Sequence, residues 1–179
     1  MGMILSEQTF IELAGKQEVL DAKIKAANNV TELPLRRIEL YYRIELAECL
    51  NELKGDFKHW SNKPMRREAF IEELVDAMHF YLSFTNHLIA DDPFGYLSDE
   101  YDDLFNAYDS FKNVREAEQP EGVPLWEIAT SSILDTRIHR SFAKILYLAE
   151  LYNYTEQDII DTYNRKNAVN HDRSDSGVY

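Results

Sequence analysis

Two short stretches place carboxylates three residues apart inside otherwise apolar sequence. The first is Glu45-Leu46-Ala47-Glu48-Cys49-Leu50-Asn51-Glu52, and the second is Glu72-Glu73-Leu74-Val75-Asp76-Ala77-Met78-His79-Phe80. On a helix Glu45 and Glu48 form an i, i+3 pair, as do Glu73 and Asp76, with about 5–6 Å between neighbouring Cβ atoms. Glu52 extends the first stripe by another turn. The surrounding residues, among them Ile44, Leu50, Leu53, Phe70, Ile71, Tyr81 and Leu82, are apolar on nearly every side, as in a buried helix. A buried carboxylate is costly unless it is paired or binds metal, and too few Lys or Arg stand close by to pair all four. Two antiparallel helices could gather Glu45, Glu48, Glu73 and Asp76 into a hard oxygen cage. Mg²⁺ suits such a cage and keeps open positions for water and a substrate phosphate. The lack of thiol or clustered His ligands argues against zinc. The competing reading of each pair is a solvated helix face, where acids ordinarily sit.

Cations of the opposite role cluster near the C-terminus. The segment Tyr163-Asn164-Arg165-Lys166-Asn167-Ala168-Val169-Asn170-His171-Asp172-Arg173 packs three of them into an acidic chain. Arg grips phosphate bidentately and Lys acts as a point charge. The alternative is a helix whose last turn carries cations to match its dipole. Trp60, two residues after Lys58, stands in a connector between the two acidic stretches. It could stack on a base, or it could plug the end of a helical bundle.

Helices must position these groups. Residues 6–27 repeat apolar positions every three to four residues behind a capping Ser6. A second helix follows Pro34 and runs to about residue 53, and a third covers about 64–89. Asp91-Asp92-Pro93-Phe94-Gly95 and Gln119-Pro120-Glu121-Gly122-Val123-Pro124 are breaks. Between them 98–117 is an acidic helix, and one long helix is expected over 125–152. Thr155 opens a last helix, with Asp158 at the capping-box offset. No segment alternates with period two. The expected fold is all-α: a bundle of about five to six helices with the metal site between two central ones. One domain over 1–168 is expected, with 169–179 a polar tail.

Composition narrows the function. The chain has 179 residues, 19 Lys+Arg and 32 Asp+Glu, a net charge of −13. Such acidity argues against a nucleic-acid polymer or an anionic membrane as partner, since both require clustered cations. A phosphate-bearing small ligand remains compatible. The lone Cys49 permits no intrachain disulfide and reads as a core residue, in keeping with a reducing, cytoplasmic location. No apolar run is long enough to cross a membrane, no secretory signal opens the chain, and no internal repeat is found.

Four stretches occur in a telling order: Glu45-Leu46-Ala47-Glu48, Phe57-Lys58-His59-Trp60, Glu73-Leu74-Val75-Asp76-Ala77-Met78-His79-Phe80, and Lys166-Asn167-Ala168-Val169-Asn170-His171-Asp172-Arg173. Together they resemble the dimeric, all-α dUTPases, a branch of the MazG-like nucleoside triphosphate pyrophosphatases. Gln17-x-x-Leu20-Asp21 is similar to the family's first-helix motif, although the family commonly has Asn where Asp21 stands. The tail also departs, with Ser174 after Arg173 and Val178 between Gly177 and Tyr179. The resemblance implies a homodimer that converts dUTP with water to dUMP and pyrophosphate using two or more Mg²⁺, with dUDP as an alternative substrate. It implies metal binding by Glu45, Glu48, Glu73 and Asp76, with Glu45 or Glu48 taking the proton from the attacking water. Lys166, Asn170 and Arg173 would close over the phosphates. Lys58, Trp60 and Phe80 would line the nucleoside pocket, and Gln17 would recognise the base. Competing readings are a broader MazG-like pyrophosphatase and a non-enzymatic acidic module that binds a regulatory protein partner, the latter suggested by the 11 tyrosines.

Overall fold

A computed structural model describes residues 2–90, 92–118 and 124–177, and within them it contains seven α-helices and no strand. Helix α1 is Glu7–Ala27, α2 Leu35–Asn51, α3 Arg67–Ala90, α4 Leu97–Glu118, α5 Leu125–Leu134, α6 Ile138–Leu151 and α7 Glu156–Ser176. The all-α expectation therefore holds. Asp91, residues 119–123 and residues 178–179, which include parts of both expected breaks, lie outside the described residues. No described helix is long and apolar enough to cross a membrane.

Local chemistry sets several helix ends where the sequence placed them. Ser6 caps α1 by accepting from the Thr9 N–H at 3.3 Å. Thr155 and Asp158 form a reciprocal capping box, with Thr155 N–H donating to Asp158 Oδ2 at 2.8 Å. Two other expectations need correction. The span 125–152 is two helices, because Asp135 leaves the helical conformation at φ −67°, ψ 123°. Its carboxylate accepts from the Arg137 N–H at 3.0 Å and from Lys144 Nζ at 2.6 Å, so it serves the next helix instead of extending the last. The stretch from Val169 is helix, not tail. Helix α7 runs through Ser176 and stops at Gly177, whose φ of +67° supplies the left-handed C-terminal turn.

Helix α3 is the spine of the molecule. It packs most extensively on α2 and also meets α1, α4, α6 and α7. The shared core includes Leu46 and Cys49 from α2, Leu74 and Met78 from α3, and Phe142 and Leu146 from α6, all fully buried. Cys49 is thus a core residue, as expected, with its thiol 3.6 Å from the Phe70 carbonyl. Tyr42 is buried with its hydroxyl 2.9 Å from Ser141 Oγ, which ties α2 to α6.

The connector between α2 and α3 doubles back on itself. Gly55 N–H donates to the Lys63 carbonyl at 2.9 Å, and Arg66 N–H donates to the Glu52 carbonyl at 3.0 Å. A Cβ on Gly55 would lie 2.6 Å from the Ser61 oxygen and 2.8 Å from that of Lys63, so only glycine permits this fold-back. Glu52 meets Lys54 at 3.2 Å and Arg66 at 3.3 Å. It therefore belongs to the turn, not to the acidic stripe. The outcome is that α2 and α3 lie side by side with their acidic stretches available to each other.

Leu46→Ala should remove about 2–5 kcal/mol from the unfolding free energy, read as a lower denaturant midpoint with an unchanged slope, because the site is fully buried between two long helices.

Candidate active site

The α2–α3 contact brings carboxylates from both stretches together. One oxygen each from Glu45, Glu73 and Asp76 lies within 4.8 Å of the others, and all three side chains are partly buried. Glu48, one turn on from Glu45, is exposed and stands outside this trio. Its charge still reaches Glu45 and Glu73.

This crowding has the expected electrostatic signature. Burial, then the charges of Asp76, Glu48 and Glu73, push the Glu45 carboxyl up to about 7. Burial and Asp76 raise Glu73, and burial is the main cause of the rise at Asp76. Lys166 opposes all three shifts, and its ammonium sits directly on Asp76 Oδ2. Arg165 pairs with the neighbouring Glu72 at 3.0 Å. Three hard oxygen donors at mutual bonding reach, each biased against holding its charge alone, fit a divalent cation such as Mg²⁺.

A cavity of about 410 Å³ opens beside the trio, lined by Glu45 and Asp76 among others. Helix α7 adds Asn170 and Arg173 to its wall, and Lys166 lies one turn before Asn170. The spacing 166, 170, 173 is one helical face, which explains how a helix, not a loose tail, presents all three. Phe80 also lines the cavity and meets Tyr41 with ring centroids 5.3 Å apart. Gln17 lines it as well but is only 4% exposed, and both ends of its amide make hydrogen bonds. Gln17 Nε2 donates to Asp21 Oδ1 at 2.7 Å, while Oε1 accepts from Tyr163 Oη at 2.9 Å and lies 2.6 Å from His79 Nδ1.

The connector residues stand apart. The cavity lining includes neither Lys58 nor Trp60. Lys58 is bonded to Asn51 Oδ1 and lies over the Phe57 ring, and Trp60 is 72% exposed, edge-on to His59. Trp60 therefore does not plug the bundle.

Two cavity residues escaped the sequence reading of the site. His79 is buried and stacked on Tyr163 at 4.2 Å, and burial, aided by Lys166, lowers its pKa to about 3. It is neutral at ordinary pH. Its place three residues after Asp76 is a signal that was readable. Asp21 also lines the cavity, and burial raises its pKa despite Ser83, Gln17, His87 and Lys25 nearby. Its position four residues after Gln17 puts the two on one face of α1.

The fold and site define an all-α protein with a carboxylate trio, of a kind that could hold a cation, beside a cavity of about 410 Å³. The chain belongs to the dUTPase family, whose model matches residues 9–178, and it is an enzyme of the dUTP diphosphatase class. Enzymes of this class generally use Mg²⁺, in keeping with the trio. No curated protein matches the sequence.

The raised carboxyls make the metal-free protein sensitive to pH. Glu45 is pushed up to about 7 when folded and returns to the ordinary carboxylate value of 4.5 when unfolded, so the folded state binds the proton more tightly. Stability from this group grows as pH falls through 7 towards 4.5 and is lost above 7. The metal-free melting temperature should therefore rise between pH 8 and pH 5.5. Saturating Mg²⁺ should flatten that dependence, and Glu45→Gln should weaken it.

Proposed function

We propose that the cavity and its carboxylate trio carry out Mg²⁺-dependent hydrolysis of dUTP to dUMP and pyrophosphate, with dUDP as a second substrate, in a cytoplasmic homodimer. The observation that carries this reading is the meeting of Glu45, Glu73 and Asp76 beside a cavity that Glu45 and Asp76 line and to which α7 adds Asn170 and Arg173. Carboxylates for a cation and a helix face for phosphates are the two halves of a metal–triphosphate site.

Glu45, Glu73 and Asp76 would hold Mg²⁺, with Glu48 joining from the next turn when two or more ions are present. Bound there, Mg²⁺ offsets the triphosphate charge and lowers the pKa of the attacking water. Glu45 would take the proton from that water, with Glu48 as its neighbour in that role. Lys166 would leave Asp76 for the phosphates, where Asn170 and Arg173 already face the cavity. Phe80 would pack on the deoxyribose and leave little room for a 2′-hydroxyl. Gln17 would set the base-reading end, and Lys58 and Trp60 would complete the nucleoside pocket from the connector.

A panel of dNTPs with Mg²⁺ tests this, and dUTP should be turned over fastest. Rapid turnover of dCTP or dATP with dUTP untouched would instead favour a broader or different pyrophosphatase. Glu45→Gln should lower kcat by about 10²–10⁴-fold without loss of fold, the usual range for a positioned base. An unchanged rate would make Glu45 structural.

A further inference from the structure

A second cavity, of about 610 Å³, lies among α4, α5 and α6 and shares no lining residue with the one beside the carboxylate trio. Arg115, Arg137, Arg140 and Lys144 line it, against a single acid, Asp103. The chain has only 19 Lys+Arg and a net charge of −13, so four cations on one cavity run against its composition. Like charges held close repel one another, and the arrangement calls for something negative to offset them.

The acids nearby do not offset all four. Lys144 Nζ lies 2.6 Å from Asp135 Oδ2, and Arg140 Nε lies 3.3 Å from the same oxygen, so two cations share one carboxylate. Arg115 meets Glu127 at 3.6 Å. Among the described residues no carboxylate pairs with the Arg137 side chain. Lys144 Nζ and the Arg115 guanidinium are also tethered to one aromatic ring, 5.5 Å and 5.4 Å from the Phe111 centroid. That contact draws a cation of α4 towards a cation of α6. His139, also on the wall, adds no charge. Burial lowers its pKa against the pull of Asp103, and its Nδ1 lies 2.9 Å from the hydroxyl of buried Tyr81.

Arg137 and Arg140 stand three residues apart at the start of α6, which puts them on one helix face. Arg137 is the N-cap residue, yet its side chain makes no capping bond. The guanidinium therefore has neither a local task nor an acidic partner. Two such planar forks suit the several oxygens of a phosphoryl group, each able to grip it bidentately. The start of a helix adds partial positive charge to the same wall. From α4, Asn106 and Ser110 supply neutral hydrogen-bonding groups. The overall charge of −13 disfavours a long polyanion here, so the occupant is a small molecule.

We propose that this cavity binds a phosphate-bearing small anion, its phosphoryl oxygens gripped by Arg137 and Arg140, with Arg115 and Lys144 offsetting the remaining charge. The site is distinct from the carboxylate cavity and stands independently of the dUTP reading. Free phosphate, pyrophosphate and a nucleoside monophosphate all carry the group it recognises.

Calorimetric titration of the full chain with pyrophosphate, free of divalent cations and at low salt, tests this. Three proteins are compared: the wild type, Arg137→Glu at the second cavity and Arg173→Gln at the first. The wild type should bind saturably in roughly the millimolar range or tighter. Arg137→Glu should weaken binding at least about tenfold, whereas Arg173→Gln should leave that binding in place. Binding that is lost in Arg173→Gln and unchanged in Arg137→Glu overturns the proposal, as does a wild type with no saturable binding. An acid at an N-cap position suits the helix, so Arg137→Glu should keep its fold. Should it fail to fold, a crystal of the wild type soaked in tungstate decides. An anomalous peak at Arg137 and Arg140 is expected, and an empty cavity overturns the proposal. Repeating the titrations with inorganic phosphate and dUMP identifies the source: the ligand whose affinity falls most in Arg137→Glu is the one the cavity fits.

Discussion

Everything at the site turns on the repulsion among three half-buried carboxylates. Glu45, Glu73 and Asp76 are brought within 4.8 Å because α2 and α3 share the largest helix contact in the molecule. The apolar residues between the acids, Leu46, Leu74 and Val75 among them, are what force the approach. Core packing is therefore set against electrostatics, and without a cation the conflict is eased by proton uptake at Glu45 and by the Lys166 ammonium on Asp76. Lys166 links this conflict to α7. The same helix that supplies a provisional counter-charge also turns Asn170 and Arg173 towards the cavity.

The parts of this arrangement written in local spacing were legible in the sequence. The i, i+3 acidic pairs, the cap at Ser6 and the capping box at Thr155 each depend on residues within a turn of one another. What required the folded chain was of longer range. The separation of Glu48 from the trio depends on how α2 is rotated against α3. The exposure of Trp60 depends on the fold-back at Gly55, where a Cβ would come within 2.6 Å of the Ser61 oxygen, a closeness that no periodicity records. The break at Asp135 was hidden because Leu134 and Ile138 continue an apolar pattern across it. The polar character of residues 169–176 concealed a helix, since a helix with one docked face can be polar over the rest.

The charge of −13 takes on a different meaning in the folded molecule. Several acids are structural: Glu52 holds the connector with Lys54 and Arg66, and Asp135 anchors Lys144 between α5 and α6. The acids at the cavity stand in two different surroundings. The trio is crowded with like charge, whereas burial raises the Asp21 pKa against the opposing influence of Ser83, Gln17, His87 and Lys25.

The most direct test of the central claim is anomalous diffraction from a crystal of the protein soaked in Mn²⁺, a hard divalent cation in place of Mg²⁺. The account predicts a strong peak within bonding distance of oxygens from Glu45, Glu73 and Asp76, with the Lys166 ammonium displaced from Asp76. A crystal with Mn²⁺ bound elsewhere, the trio empty and Lys166 still on Asp76, would contradict it.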